Sequence, residues 1–272
     1  MTISSPAPSL PTSTGHSTAA STAASTASPS PSAEPATMPS TAPSTAPAIR
    51  LAIYDMDKTI THAPTWTPFL LHTAKKGGAP WRLALVPFAG VAALGYVGKL
   101  ISRGRLKYLM QRMMLGKRMT AAEERRAAEA FADRVMRDGV FASARTQIEA
   151  DRAAGYRLVM ATASYRFYVE AIARRLDFDA VIGTESLRDR DGVLLAGIEG
   201  ENCYGPAKLR MIQAWMDREG IARDHAHIRF YSDHVSDAPT FDWADEPFAV
   251  NAHGPLRLLA KAKGWPMPDW ER

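Results

Sequence analysis

"LAIYDMDKTITHA", residues 51–63, sets two carboxylates, Asp55 and Asp57, two positions apart at the end of an apolar run. Leu51, Ala52, Ile53 and Tyr54 read as a buried strand that stops at the first acid. Like charges at the open end of a strand repel one another and resist ionisation unless a partner there offsets them. The pattern around this strand decides the fold class.

Downstream, residues 66–154 read as mostly helical. "TAAE" at 120–123 is a capping-box pattern that starts a helix running to about Arg137, with Asp138-Gly139 as its stop, and a further helix is expected over about 141–154. "YRLVMAT" (156–162) is a second buried strand and "SYRFYVEAIARRL" (164–176) a helix. A short strand at 180–182 precedes a hairpin around Asp191-Gly192. Residues 206–219 read as a helix, and "HIRFYSD" and "PFAVN" as a third and fourth buried strand. Strands alternating with helices argue for an α/β fold with a parallel sheet covered on both faces. No internal repeat is visible.

Composition bounds the rest. Residues 1–48 are almost entirely Ser, Thr, Ala and Pro, with no Lys or Arg and one acid, Glu34. Such a segment cannot bury enough apolar surface to offset its ordering entropy and reads as disordered. It lacks the basic start and apolar stretch of a secretory signal. One cysteine, Cys203, excludes an intramolecular disulfide and reads as incidental in a reducing compartment. From Lys58 through Met119 the chain carries eleven Lys/Arg, Lys58 included, and no acid. That bias calls for an anionic partner: nucleic acid, a membrane surface or a phosphorylated substrate.

Sites in parallel sheets form at the carboxyl ends of strands. The first such end offers Asp55 and Asp57, the second Thr162 and then Ser164, and the third, "YSDHVSD", Asp233 and Asp237; Lys208 stands in "GPAKLRMI" near a helix start. A divalent cation with a lysine beside it would let these acids ionise together, and hard Mg²⁺ suits one or two carboxylates with phosphate oxygens. A phospho-acceptor receiver domain also combines paired acids, Thr, Lys and Mg²⁺. It is about half this size, however, and its Lys follows the other motif residues, whereas Lys208 precedes Asp233. An intact Asp57 argues against both a receiver and a catalytically dead binding module. His62, His225, His227 and His234 are too scattered to prefer a transition metal.

With these motifs in this order, the chain resembles the haloacid dehalogenase (HAD) superfamily of phosphohydrolases, in the branch that includes phosphoserine phosphatases. "DMDKT" matches the first motif, Thr162 the second, Lys208 the third and "SDHVSD" the fourth; Lys58 stands where many members carry Gly. The resemblance implies a Rossmann-like core over 49–62 and 155–272, with a helical cap over 63–154 inserted between the first and second motifs. It implies that Asp55 attacks phosphorus to give an aspartyl phosphate and that Asp57 serves as acid and then base. Mg²⁺ would be held by the Asp55 side chain, the Asp57 carbonyl and Asp233, with Asp237 orienting the shell, while Thr162 and Lys208 bind phosphate oxygens. The partner implied is a phosphorylated substrate, with no nucleic acid.

Substrate class is read from the cap. Phosphoserine phosphatases place an acid about nine residues after the nucleophile to read the amino group; here that position is Pro64, and no acid occurs until Glu123. Between Arg82 and Lys99 lie sixteen uncharged, mostly apolar residues, short of a span of about 20. The cap must leave and rejoin the core on one side, so a single crossing is forbidden. Basic residues flank both ends: Lys75, Lys76 and Arg82 before, and Lys99, Arg103, Arg105 and Lys107 after. Leu106, Leu109, Met110, Met113 and Met114 then suit an interfacial helix. The other reading is an ordinary cap core with Met as filler. This cap resembles that of bacterial phosphatidylglycerophosphate phosphatases, including "TWTPFLL". That resemblance implies a lipid phosphate and a cytoplasmic protein held peripherally, or by a re-entrant element, at the anionic inner face of the membrane. The alternative is a soluble phosphatase of small phosphomonoesters.

Overall fold

The computed structural model describes residues 49–270, apart from residue 78 and the side chain of Arg103. The segment 1–48, expected from composition to be disordered, lies outside the described residues. In chain order the elements are β1 (Ile49–Tyr54), α1 (Trp66–Lys76), a 3-10 turn (Pro80–Leu85), α2 (Val86–Val97), α3 (Arg103–Met114), β2 (Arg118–Met119) and α4 (Ala121–Asp138). Then follow α5 (Ala142–Ala153), β3 (Arg157–Tyr165), α6 (Arg166–Arg175), β4 (Ala180–Arg188), β5 (Leu194–Glu199) and α7 (Pro206–Arg218). β6 (Ala226–Ser232), α8 (Ala238–Trp243), β7 (Glu246–Ala249) and α9 (Gly254–Lys263) complete the order.

One seven-stranded sheet runs β2-β5-β4-β3-β1-β6-β7. Its body is parallel: β1 pairs with β3 on one side and β6 on the other. β5 folds back antiparallel on β4, and β2 adds antiparallel to β5. The chain moves from β1 outward to β3 and β4, then returns to β6 across β1. That reversal makes the carboxyl end of β1 a topological switch point, where open α/β sheets form their crevice.

The apolar run that names β1 is needed because both its faces are covered. Ala52 and Tyr54 join one core with Leu158, Met160, Tyr168 and Phe131. Leu51 and Ile53 join the other, with Ala161, Ile228, Phe230 and Ile212. Alternate residues point to opposite faces, so a strand covered on both faces shows continuous hydrophobicity.

Several boundaries differ from the sequence reading. β4 runs to Arg188 rather than stopping at 182, because it continues as the charged, alternating first arm of the β4–β5 hairpin. At the turn, Asp189 Oδ1 accepts from the amides of Asp191 (3.0 Å) and Val193 (2.9 Å), and Gly192 takes φ +76°. The Thr120–Glu123 capping box is formed as read, at the start of α4.

The α3 reading needs correction. This helix does not lie free with an apolar stripe outward; it docks on the hairpin through buried polar side chains. Gln111 is 1% exposed. Its Nε2 donates to Ser186 Oγ (3.0 Å) and Leu195 O (3.1 Å), and its Oε1 accepts from Gly197 N (3.1 Å). Lys107, read as a membrane flank, is buried as well and donates to Ala163 O and Asn202 Oδ1, both at 2.6 Å. It thereby ties α3 to the end of β3. α2 is different: none of its residues is buried.

Candidate active site

The carboxyl ends of β1, β3 and β6 and the start of α7 meet at a cavity of about 230 Å³ lined by Asp55, Asp57, Thr162, Lys208, Asp233 and Asp237. All six residues singled out in the sequence therefore come together. Asp55 continues β1 with its amide donating to Tyr231 O (2.8 Å), which aligns it with the end of β6. Lys208, 2% exposed, donates to Asp55 Oδ1 (2.9 Å) and Asp237 Oδ2 (2.6 Å). A buried ammonium between two carboxylates offsets part of the cost of burying them.

Burial pushes the Asp55 carboxyl up to about 7; Lys208 opposes the shift, while Asp237 and Asp233 add to it. Burial likewise raises Asp233 to about 6, against Lys58 and Lys208. Burial alone would depress Lys208, but Asp237 and Asp55 hold it above the usual lysine range. One lysine does not balance this many acids. Asp237 Oδ1 is also buried with no hydrogen-bond partner, while its Oδ2 accepts from Ser232 Oγ (2.7 Å) as well as Lys208.

Asp57 is held differently. Its Oδ1 accepts from Thr65 N and Thr65 Oγ1, both at 2.8 Å, and its Oδ2 from Ser164 Oγ (2.7 Å). Thr65 Oγ1 is itself 2.8 Å from Tyr168 Oη. This clamp fixes one carboxylate orientation and keeps Asp57 away from Lys208. Thr65 and Tyr168 are not singled out as site residues by the sequence, since hydroxyls are common and nothing in their spacing marks them. Thr59 is a further omission: its Oγ1 accepts from Asp233 N (3.0 Å) and so joins the loops after β1 and β6.

Lys58 takes φ +63°, in the left-handed region. That explains why glycine suits this position: a side chain there costs roughly 1 kcal/mol. Lys58 also lines the cavity. Cys203 is fully buried and burial pushes its thiol up to about 12, which keeps it protonated and unreactive. The histidines lie apart: His62 stacks edge-on to Phe141, His227 meets Glu246, and His234 Nδ1 is 2.8 Å from Ser236 Oγ.

Among the described residues no three Cys, His, Asp or Glu side chains converge as a ready-made metal cage. A hard cation that keeps water and phosphate oxygens needs only one or two carboxylates, so the donor set here still suits Mg²⁺. The raised Asp55 and Asp233 carboxyls and the unpartnered Asp237 oxygen mark a deficit of positive charge that such an ion would fill.

A family model described as haloacid dehalogenase-like hydrolase matches residues 52–242. The chain is 26% identical over 223 residues to a Mycobacterium tuberculosis protein named phosphoserine phosphatase SerB1, covering 80% of this chain and 70% of that one. It is 32% identical over 133 residues to the inhibition of morphological differentiation protein of Streptomyces azureus, covering 49% of this chain and 47% of that one. The chain thus spans about half the length of that relative. A solved structure of a protein of unknown function from Bordetella pertussis superposes with a TM-score of 0.73 at 25% identity, covering 82% of this chain and 99% of that one.

Proposed function

The chain belongs to the haloacid dehalogenase-like hydrolases, and from that premise we propose that it is a phosphatase that cleaves phosphomonoesters through Asp55. The observation that carries this reading is the convergence of four acids and Thr162 at three strand ends, with a buried lysine from the start of α7, around one cavity. The Asp55 oxygen that Lys208 does not hold forms the bond to phosphorus, the ester P–O bond breaks, and Asp57 gives its proton to the leaving oxygen. A water then loses a proton to Asp57 and attacks phosphorus. The Asp55–phosphorus bond breaks, and phosphate leaves. Thr65 and Ser164 keep Asp57 aimed through both steps. Lys208 and Thr162 bind the oxygens that are not transferred, since phosphoryl transfer rests mostly on positioning and charge stabilisation. Asp55, Asp233 and the Asp57 carbonyl would hold Mg²⁺, which supplies charge neutralisation, and Asp237 would orient that shell. The domain division follows the same proposal: a core of 49–62 and 155–272, and a cap of 63–154.

Metal binding has a readout that needs no substrate. Asp55 and Asp233, raised from their ordinary 3.8 to about 7 and about 6, keep in the fold a proton that the unfolded chain gives up. Stability contributed by these groups therefore falls as pH rises from about 4 to 7. A cation that accepts the ionised forms reverses that loss, so Mg²⁺ should raise the melting midpoint more at pH 8 than at pH 5. An equal gain at both would remove the carboxylates from the metal site. EDTA should abolish turnover, with Mg²⁺ restoring it.

For substrate we favour a phosphomonoester on a membrane lipid such as phosphatidylglycerophosphate, met at an anionic bilayer on the cytoplasmic side. Residues Pro80–Val97 have a mean hydropathy of 1.3, and none of that stretch is buried. Phe88, Val91, Leu94, Val97 and Leu100 are all 65% exposed or more. Soluble monomers rarely leave so continuous an apolar patch in water. Lys75, Lys76 and Lys99 flank it, each worth about 1 kcal/mol at an anionic surface. With α3 docked inward, the membrane-facing part narrows to residues 80–100.

Substituting Leu94→Asp together with Val97→Asp should release the protein from vesicles in flotation and suppress lipid turnover. Hydrolysis of p-nitrophenyl phosphate should persist. The second reading, a soluble enzyme for small phosphomonoesters, draws on the phosphoserine phosphatase name of one relative. Against an amino-acid phosphate, Pro64 lines the cavity and no cap acid does. A phosphate-release screen over lipid and soluble phosphomonoesters, with and without detergent, separates the two; preference for phosphoserine by a protein that stays off vesicles would favour the second.

A further inference from the structure

A second cavity, of about 460 Å³, lies among α1, the 3-10 turn, α3 and α4 and shares no lining residue with the catalytic cavity. Lys76, Arg82, Arg118 and Arg126 contribute to its wall, against a single acid, Glu123. That acid is occupied locally, accepting from Thr120 N and Thr120 Oγ1, both at 2.8 Å. Arg118 pairs with Asp189.

Among the described residues, three that line this cavity each carry a buried polar atom with no hydrogen-bond partner: His72 Nε2, Thr73 Oγ1 and Arg82 Nε. Thr73 is only 6% exposed. Buried polar groups are normally satisfied, and leaving one unmet destabilises the fold. All three can donate. Burial, with Arg134, Lys76 and Arg137 nearby, holds His72 below the usual imidazole range, so at neutral pH it is uncharged and its Nε2 can carry the proton. Arg82 is already seated: Nη1 donates to Met114 O (3.2 Å), and a Cβ at Gly116 would lie 2.5 Å from Nη2. Arg82 Nε, an obligate donor, with two further groups able to donate under a net positive wall, suits an oxyanion.

The remaining wall is apolar, with Met114, Leu115 and Met119. Arg82 also sits on the 3-10 turn that leads directly into the exposed α2. A ligand with a charged phosphate and an apolar body fits both halves. We propose that this cap cavity binds the headgroup phosphate of an anionic phospholipid, held by Arg82, Thr73 and His72, with Lys76 and Arg126 supplying charge. The oxyanion chemistry stands on the cavity alone; the lipid source rests on the membrane reading above.

The test is calorimetric titration of the full chain with monomeric dihexanoylphosphatidylglycerol, below its micelle concentration. This is a phosphodiester, so a phosphomonoesterase does not consume it. Saturable binding is expected, at least tenfold weaker in Arg82→Gln and in Arg126→Gln, and unchanged in Leu94→Asp/Val97→Asp. The choline analogue should bind at least tenfold more weakly than the glycerol lipid. Melting midpoints check that the variants fold; should Arg82→Gln fail to, Arg126→Gln and Lys76→Gln carry the test. No binding of the monomeric lipid, or binding indifferent to these substitutions, overturns the site. Inorganic phosphate binding as tightly, with the same sensitivity to Arg82, would overturn the lipid assignment in favour of a free anion. Wild-type protein that floats with phosphatidylglycerol vesicles yet ignores the monomeric lipid would sink the cavity proposal and leave the membrane reading standing. The reverse pattern would do the opposite.

Discussion

Replacing Asp55 with asparagine is expected to lower phosphomonoester turnover by about 10³-fold or more, the scale seen when a covalent nucleophile is removed. The amide matches the carboxylate in shape but is a poor nucleophile. Lys208 and Thr162 remain in place to bind phosphate, so kcat should carry the loss and KM should change little. The same variant also relieves the crowding of acids around Lys208, since Asp55 is one of two carboxylates on its ammonium. Its melting midpoint should therefore fall far less than its activity. Turnover above a tenth of wild type would contradict the role assigned to Asp55.

Lys208→Met should produce the largest loss of stability. The lysine is 2% exposed and bonded at 2.9 and 2.6 Å to Asp55 and Asp237. Methionine fills most of the space but leaves two buried acids facing each other. Breaking a buried ion pair from one side costs about 3–5 kcal/mol. In a domain of this size that lowers the melting midpoint by roughly 10 °C. Added Mg²⁺ should recover part of the loss by supplying positive charge to the same acids. A shift under about 2 °C would mean that the acids are already neutral in the fold.

The strands were legible because both faces of the sheet are covered, so β1 and β3 are dominated by apolar runs, while β6 alternates through His227 and Arg229 before closing on Phe230 and Tyr231. The acids were legible because they follow such runs immediately. What escaped the sequence is set by tertiary pairing. β2 is two residues long and exists only against β5. The helical segment before it carries too little amphipathic period to divide, since α2 has no buried face. α3 has apolar residues at helical spacing, yet the residues it buries deepest include Lys107 and Gln111. Their partners are backbone carbonyls, a backbone amide, the Ser186 hydroxyl and the Asn202 side chain far along the chain, which no local pattern announces. The hydroxyl clamp on Asp57 is hidden in the same way. Ser164 and Tyr168 are about a hundred residues from it, and Thr65 is an ordinary residue at the entry to α1.

The central claim, that Asp55 takes the phosphoryl group, is tested most directly by acid quenching during turnover of a ³²P-labelled phosphomonoester, followed by peptide mapping. Asp57→Asn should be run beside wild type, because Asp57 assists both formation and hydrolysis of the intermediate without itself carrying the phosphoryl group. The expected result is acid-stable, base-labile label confined to the peptide that contains Asp55, present in wild type and absent in Asp55→Asn. Label on another residue, or sustained turnover with no label on that peptide in either protein, would contradict the account.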